Sequence, residues 1–239
     1  MRFNLDLNDY TQRRAWCGVF ENAEVEYIRS VLANGDVAVD VGSNVGLLAL
    51  PMARAVGDEG NVFAIDPISA NIAKLEENAR LNALGNIETV ISAVGSSTSD
   101  LRFANEHTSA DRSTGFYRRS LGADGIVASQ IRLDSFLSSR LGADLELQLM
   151  KIDVEGMEKD VLTGLGNLLN PDRIRRIMFE IFVDRRGVSK ESKEVIDLLV
   201  NAGYRIFRLS RRGPLGISPL SDHKIKTWLP TAMNLLALK

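Results

Sequence analysis

The run Val37-Ala38-Val39-Asp40-Val41-Gly42-Ser43-Asn44-Val45-Gly46 restricts the fold of this chain more than any other stretch. An apolar segment enters it, Asp40 stands near that segment's end, and a helix-like run over 45–56 leaves it. Two glycines lie in between, so the pattern is a strand that turns sharply into a helix. Glycine suits such a turn because it has no Cβ and tolerates positive φ. The unit is the first piece of an open α/β sheet, in which ligands bind outside the carboxyl ends of the strands.

The rest of the chain extends that unit. The sequence predicts a helix from Asn22 to Leu32, a second strand over 61–65 ending at Asp66-Pro67, a helix capped by Ser69 and running to Leu84, and a third strand over 87–94. Pro51 falls inside the helix-like run 45–56, so a kink or a late helix start is expected there. A β-α-β-α-β order implies parallel strands with right-handed crossovers. Residues 95–120 are rich in Gly, Ser, Thr, Asp and Arg and are expected to form a long non-helical excursion. Further strands are expected at 125–133, 145–154, 173–182 and 204–209, with helices from Leu133, over 158–165 and over 189–202. A last strand, Thr231 to Leu238, is expected to run antiparallel.

Bulk properties exclude several classes. A chain of 239 residues suits one α/β domain, and no linker divides it. The net charge of -2 gives no overall electrostatic reason for a nucleic-acid partner. The single cysteine, Cys17, excludes an internal disulfide framework and fits a reducing cytoplasm. No apolar run is long enough to span a membrane, and the first residues lack the apolar core of a signal peptide.

The chemistry is concentrated at strand ends. A dinucleotide site calls for G-x-G-x-x-G, whereas residues 40–46 read D-x-G-x-x-x-G, which suits a cationic ligand better than a phosphate. Asp66 ends the second strand, where a carboxylate can accept both hydroxyls of a ribose. The two acidic markers and the β-α-β spacing favour a nucleoside ligand. Lys151, Asp153 and Glu155 alternate along the strand over 145–154 and therefore share one side of it. They form either an ion pair that fixes the strand end or groups beside the reacting atoms; a shared divalent ion is a lesser option. Glu180, between apolar neighbours at the next strand end, and His107, in the polar excursion, are candidate general bases. Arg112, Arg118 and Arg119 form a basic cluster in the same excursion. Tyr10, Trp16 and Glu21 are candidate lid residues.

Four segments carry a family resemblance: 40–46, the strand end Ile65-Asp66-Pro67, the run 131–137 (IRLDSFL) and the run 150–158 (MKIDVEGME). Through them the chain resembles the class I S-adenosylmethionine-dependent methyltransferases and, within these, the FkbM family. Family members often carry Glu-Pro after the second strand where this chain has Asp66-Pro67, a change that keeps the carboxylate.

The resemblance implies a single domain, 1–239, built on a seven-stranded, mostly parallel, doubly wound sheet with an antiparallel last strand. A helical lid over 1–35 and an insertion over 95–130 near the acceptor site would complete it. It further implies that Gly42, Ser43, Asn44 and Gly46 cradle S-adenosylmethionine and that Asp40 anchors their loop. Asp66 and Pro67 would lie at the ribose, and Ser92 and Ala93 would lie against the adenine. Asp153 would sit beside the transferred methyl, with His107, Asp153, Glu155 and Glu180 as the acid–base candidates. The expected product is S-adenosylhomocysteine, and the expected acceptor is a hydroxyl on a sugar, polyketide or related small molecule. A nicotinamide-dependent dehydrogenase and a non-catalytic cofactor-binding protein are the alternatives. No metal, nucleic-acid partner or membrane span is expected.

Overall fold

A computed structural model describes residues 1–18, 21–105, 117–119, 125–142, 144–185, 187–209, 217–219 and 231–239. The N-terminal part forms α1 (Tyr10–Trp16), α2 (Asn22–Val31), β1 (Val37–Val41), α3 (Ala49–Val56), β2 (Asn61–Asp66), α4 (Ser69–Leu81) and β3 (Ile87–Ile91). The middle contributes β4 (Ala93–Val94), β5 (Ser99–Asn105), β6 (Tyr117–Arg119), β7 (Ile126–Ile131) and α5 (Leu133–Leu141). It is followed by β8 (Leu149–Ile152), α6 (Glu158–Thr163) and a 3-10 turn, Gly166–Leu168. The last part holds β9 (Arg176–Asp184), β10 (Gly187–Val188), α7 (Lys190–Asn201), β11 (Arg205–Leu209), β12 (Ile217–Pro219) and β13 (Thr231–Leu238).

The main sheet has the order β12-β11-β13-β9-β8-β1-β2-β3, with the short β10 beside β9. Seven strands do most of its pairing: β3, β2, β1, β8, β9, β13 and β11. Neighbours from β3 to β9 are parallel, and β13 is antiparallel to both β9 and β11. Strand order reverses between β1 and β8, because β1 leads outward to β2 while β8 leads the other way to β9.

Two apolar layers sandwich this sheet. On one side α2, α3 and α4 bury Ile28, Leu50, Met52 and Leu75 against Ala38, Val62, Ala64, Leu149 and Met178. On the other side α5, α6 and α7 bury Leu137, Val161 and Leu199 against Val39, Phe63, Met150 and Phe179. The alternation Ala38 to one face and Val39 to the other is the period of two that a strand covered on both faces must show.

Three expectations are refined. Helix α3 starts at Ala49, and Pro51 sits in its first turn, where a missing N–H costs no intrahelical bond. Ser69 is the first residue of α4 and makes no cap bond; Asp66 Oδ1 accepts the Ile68 N–H instead. The expected third strand splits at Ser92: Ala93–Val94 leaves the main sheet and pairs with β7, opening a second sheet of order β4-β7-β5-β6. The excursion after residue 95 is thus partly a β-hairpin insertion.

Candidate active site

The strand-order reversal opens a crevice between the carboxyl ends of β1 and β8. The Asp153 N–H donates to Val41 O at 3.0 Å, so the loops leaving the two strands cross in contact. Gly42 occupies the crossing with φ 83°, and a Cβ on it would overlap the Asp153 carbonyl oxygen. The Gly42 and Ser43 N–H groups both donate to Ile65 O, at 2.8 and 3.1 Å, which ties the glycine loop to the end of β2. Asn44 takes a left-handed φ of 46°, and Gly46 follows at 88°.

Two buried carboxyls hold this loop. Asp40 accepts the Ala49 N–H at the start of α3, where the positive end of the helix dipole favours a carboxylate. Burial pushes its pKa up to about 7, against the lowering effect of Lys151. Asp66 accepts from Asn44 N at 2.9 Å through Oδ2, and from Ile68 N and Asn71 Nδ2 at 2.9 and 3.1 Å through Oδ1. Burial raises its pKa to about 6 in spite of these bonds. Asp66 therefore shapes the loop as well as facing it, and Oδ2 keeps one lone pair open. Pro67 follows it, half-buried.

Ser43 Oγ is buried and, among the described residues, makes no hydrogen bond. Ser92 and Ala93 are both buried beside the end of β2, and the Ser92 N–H donates to Asp66 O at 3.2 Å. The Ser92 hydroxyl turns to the second sheet and donates to Ser129 O at 2.7 Å.

Beyond β1 the crevice becomes strongly ionic. Lys151 is paired in register with Asp40 and is 1% exposed; its Nζ lies 3.1 Å from Asp153 Oδ2. Burial alone would push the lysine pKa down, but Asp153, Glu21 and Glu180 around it outweigh that and hold it up. Carboxylate oxygens of Asp153, Glu155 and Glu180 come within 4.8 Å of one another. Burial, and then the charge of Asp153, push the Glu180 carboxyl well above the usual range. Glu155 has a left-handed φ of 51°. The buried Glu158 carboxylate braces its turn, accepting from Val154 N and Gly156 N at 3.3 and 3.2 Å.

The structure thus gathers Asp40, Gly42, Ser43, Asn44, Gly46, Asp66, Asp153, Glu155 and Glu180 around one crevice. His107 and Arg112 lie outside the described residues, as do the side chains of Arg118 and Arg119. Tyr10 and Trp16 are exposed, Trp16 at 69%. Glu158 and Asn234 reach the site without a sequence signal that would assign them, while Lys151, expected as an ion-pair partner, and Glu21, expected as a lid residue, both lie beside it. For Lys151 the signal existed: a lysine on an interior strand is rare unless paired.

An open sheet with this strand order, an antiparallel last strand and a glycine loop at the reversal point is the fold of a class I S-adenosylmethionine-dependent methyltransferase. Two solved structures share it over nearly their whole length. A Clostridium thermocellum protein assigned as an rRNA methylase has a TM-score of 0.52 at 11% identity, covering 90% of this chain and 94% of that one. The precorrin-6y C5,15-methyltransferase of Geobacter metallireducens has a TM-score of 0.51 at 13% identity, covering 99% and 95%.

Residues 40–206 match the methyltransferase FkbM domain, and the chain belongs to that family. A curated relative, the hexuronic acid methyltransferase AglP of Haloferax volcanii, is 29% identical over 170 residues. Those residues are 70% of this chain and 66% of AglP.

The chain is therefore an S-adenosylmethionine-dependent methyltransferase, and the dehydrogenase alternative falls. The loop fits that cofactor: among the described residues the buried Ser43 hydroxyl has no partner and Asp66 Oδ2 accepts a single hydrogen bond. Because one fold neighbour is assigned as an rRNA methylase, the expected exclusion of nucleic acid gains no support. Among the described residues no helix is long and apolar enough to cross a membrane.

Proposed function

We propose that this chain methylates a hydroxyl oxygen of a sugar, with a hexuronic acid or a glycan containing one as the leading acceptor class. The observation that carries this reading is the group Asp153, Glu155 and Glu180 beside the glycine loop, where an acceptor would meet the cofactor. Carboxyl groups are suited to hydroxyls because each oxygen accepts and a protonated one also donates. Asp153 would repel a carboxylate brought to the reacting position itself, so the acceptor's own carboxylate points away from it and a hydroxyl is presented, which favours an ether over an ester product. The hexuronic acid class comes from the relative AglP.

When bound, S-adenosylmethionine supplies a methyl group already activated on a sulfonium. Gly42, Ser43, Asn44 and Gly46 would line its amino-acid end, in a loop that Asp40 fixes to α3. Asp66 would receive a ribose hydroxyl on Oδ2, with Pro67 beside it, and Ser92 and Ala93 would wall the adenine side. An alcohol needs to lose its proton as it attacks, so a base must lie within hydrogen-bond reach. Asp153, whose Oδ2 lies 3.1 Å from Lys151 Nζ, takes that proton. Glu180, whose carboxyl burial pushes well above the usual range, donates a hydrogen bond to the acceptor in its protonated form, and Glu155 receives a second hydroxyl. His107 is a remaining candidate for the base.

The test is methyl transfer from labelled S-adenosylmethionine to glucuronic acid, galacturonic acid, neutral hexoses and a hydroxylated polyketide. Products would be assigned by NMR and by alkali lability. An alkali-stable methyl ether on a uronic acid is expected. An alkali-labile methyl ester would overturn the hydroxyl assignment, and no transfer to any sugar would overturn the acceptor class.

A further inference from the structure

Four residues of the main sheet make a polar row on the face covered by α2 and α3. Ala38, Leu149, Met178 and Leu236 are buried there. Two positions along each strand toward the crevice, and so on the same face, come Asp40, Lys151, Glu180 and Asn234. Asn234 is in register with Glu180 across β13 and β9. Its Nδ2 donates to Glu21 Oε1 at 3.3 Å and to Glu24 Oε1 at 3.1 Å, while its Oδ1 is buried and, among the described residues, has no partner.

Glu21 is unusual in its own right. It precedes α2 with a left-handed φ of 44°, a conformation that costs a non-glycine residue energy, and its side chain does not cap the helix behind it. The carboxyl is directed instead to Asn234, within electrostatic reach of Lys151, Asp153 and Asp40. Strain is retained where the surroundings over-determine it, which is most often at functional sites. Glu21, Glu24 and Asn234 all lie outside the matched segment 40–206.

We propose that Asn234 latches the N-terminal helix onto the sheet, and that the latched Glu21 is a positioning residue sharing Lys151 with Asp153. The inference rests on the function proposed above, in which Asp153 takes the acceptor's proton. Glu21 acts through the lysine: its carboxyl adds to the pull of Asp153 and Glu180 on the ammonium, which holds it at a fixed place, and Asp153 with it. The effect belongs to the transition state and should appear in kcat rather than in KM.

Asn234→Asp keeps the shape but sets a carboxylate against Glu21 and Glu24. Combining it with Glu21→Gln and Glu24→Gln reverses donor and acceptor across the same contacts. Hydrogen exchange of residues 22–31, calorimetric affinity for S-adenosylhomocysteine, and kcat and KM on whichever sugar the wild type methylates would be measured. The single variant is expected to exchange at least tenfold faster in that helix, with affinity for S-adenosylhomocysteine within threefold of wild type. The triple variant should recover protection yet keep a kcat at least tenfold low, with acceptor KM within threefold.

Unchanged exchange in Asn234→Asp would overturn the latch. Recovery of kcat in the triple variant would overturn the role of Glu21, since the contact alone would then suffice. A wild type that methylates no sugar would sink the proposed function, and the exchange measurement would still decide the latch.

Discussion

Lys151 Nζ and Asp153 Oδ2 are 3.1 Å apart, and only the carboxylate looks out: the lysine side chain is 1% exposed and the aspartate 28%. The ammonium is sealed beneath the crevice, where it serves Asp40, Glu21 and Glu180 as well. Removing one partner of a buried pair leaves an uncompensated charge. Lys151→Met should therefore cost about 3–5 kcal/mol of stability near neutral pH. The loss should shrink in acid, where the carboxyls are neutral. Urea titrations at two pH values would show it; an equal loss at both would mean that charge is not the cause.

Asp66→Ala removes an acceptor that serves Asn44 and Asn71 and, in the proposed function, a ribose hydroxyl. The affinity for S-adenosylhomocysteine is expected to fall at least about tenfold, or ~1.4 kcal/mol, in a protein that still melts cooperatively. Calorimetry on the folded variant measures this, and an unchanged affinity would remove Asp66 from the cofactor site.

The two loop glycines should differ in tolerance. Gly42→Ala sets a methyl group against the Asp153 backbone carbonyl, which only a shift of the loop after β8 can relieve. Gly46→Ala meets the Leu50 and Leu75 side chains, which yield more readily than a backbone carbonyl because they can repack by rotation. Both variants carry the cost of positive φ, roughly 1–2 kcal/mol. Beyond that, Gly42→Ala should lose binding of S-adenosylhomocysteine while Gly46→Ala keeps measurable binding. Comparable affinities in the two variants would contradict the close crossing of the loops.

Stability should depend on pH in a direction opposite to that of most carboxylates. Asp40 and Asp66 have folded-state pKa values raised to about 7 and about 6 from 3.8, because burial disfavours their charge. The native chain holds these protons more tightly than the unfolded chain. Their contribution is therefore fully present below about pH 4 and is lost as pH rises through about 6 and then 7. A tenfold tighter hold on a proton in the native chain corresponds to about 1.4 kcal/mol. Asp40→Asn should flatten this part of the profile of melting temperature against pH; a slope identical to that of the wild type would assign it to other groups.

How far the sequence could be read follows from the range of the forces involved. Strand β2 and strand β13 were legible to within a residue, because alternating apolar side chains and flanking turn residues are local. The glycine loop was legible for the same reason: a sharp strand-to-helix turn with positive φ at Gly42 and Gly46 leaves few residue types free. Ser92 was misplaced within one continuous strand, since nothing near it in the chain shows that Ala93 pairs with β7.

The sequence by itself determined the parallel sheet, the glycine turn and the acidic strand ends, through periodicity and backbone sterics that act over a few residues. Only the tertiary structure decided that Lys151 would be the shared cation of Asp40, Asp153, Glu180 and Glu21, and that Asn234 would hold Glu21 from 213 positions away. Charge and desolvation depend on distances in space, and those are set when the sheet closes its register, not by spacing along the chain.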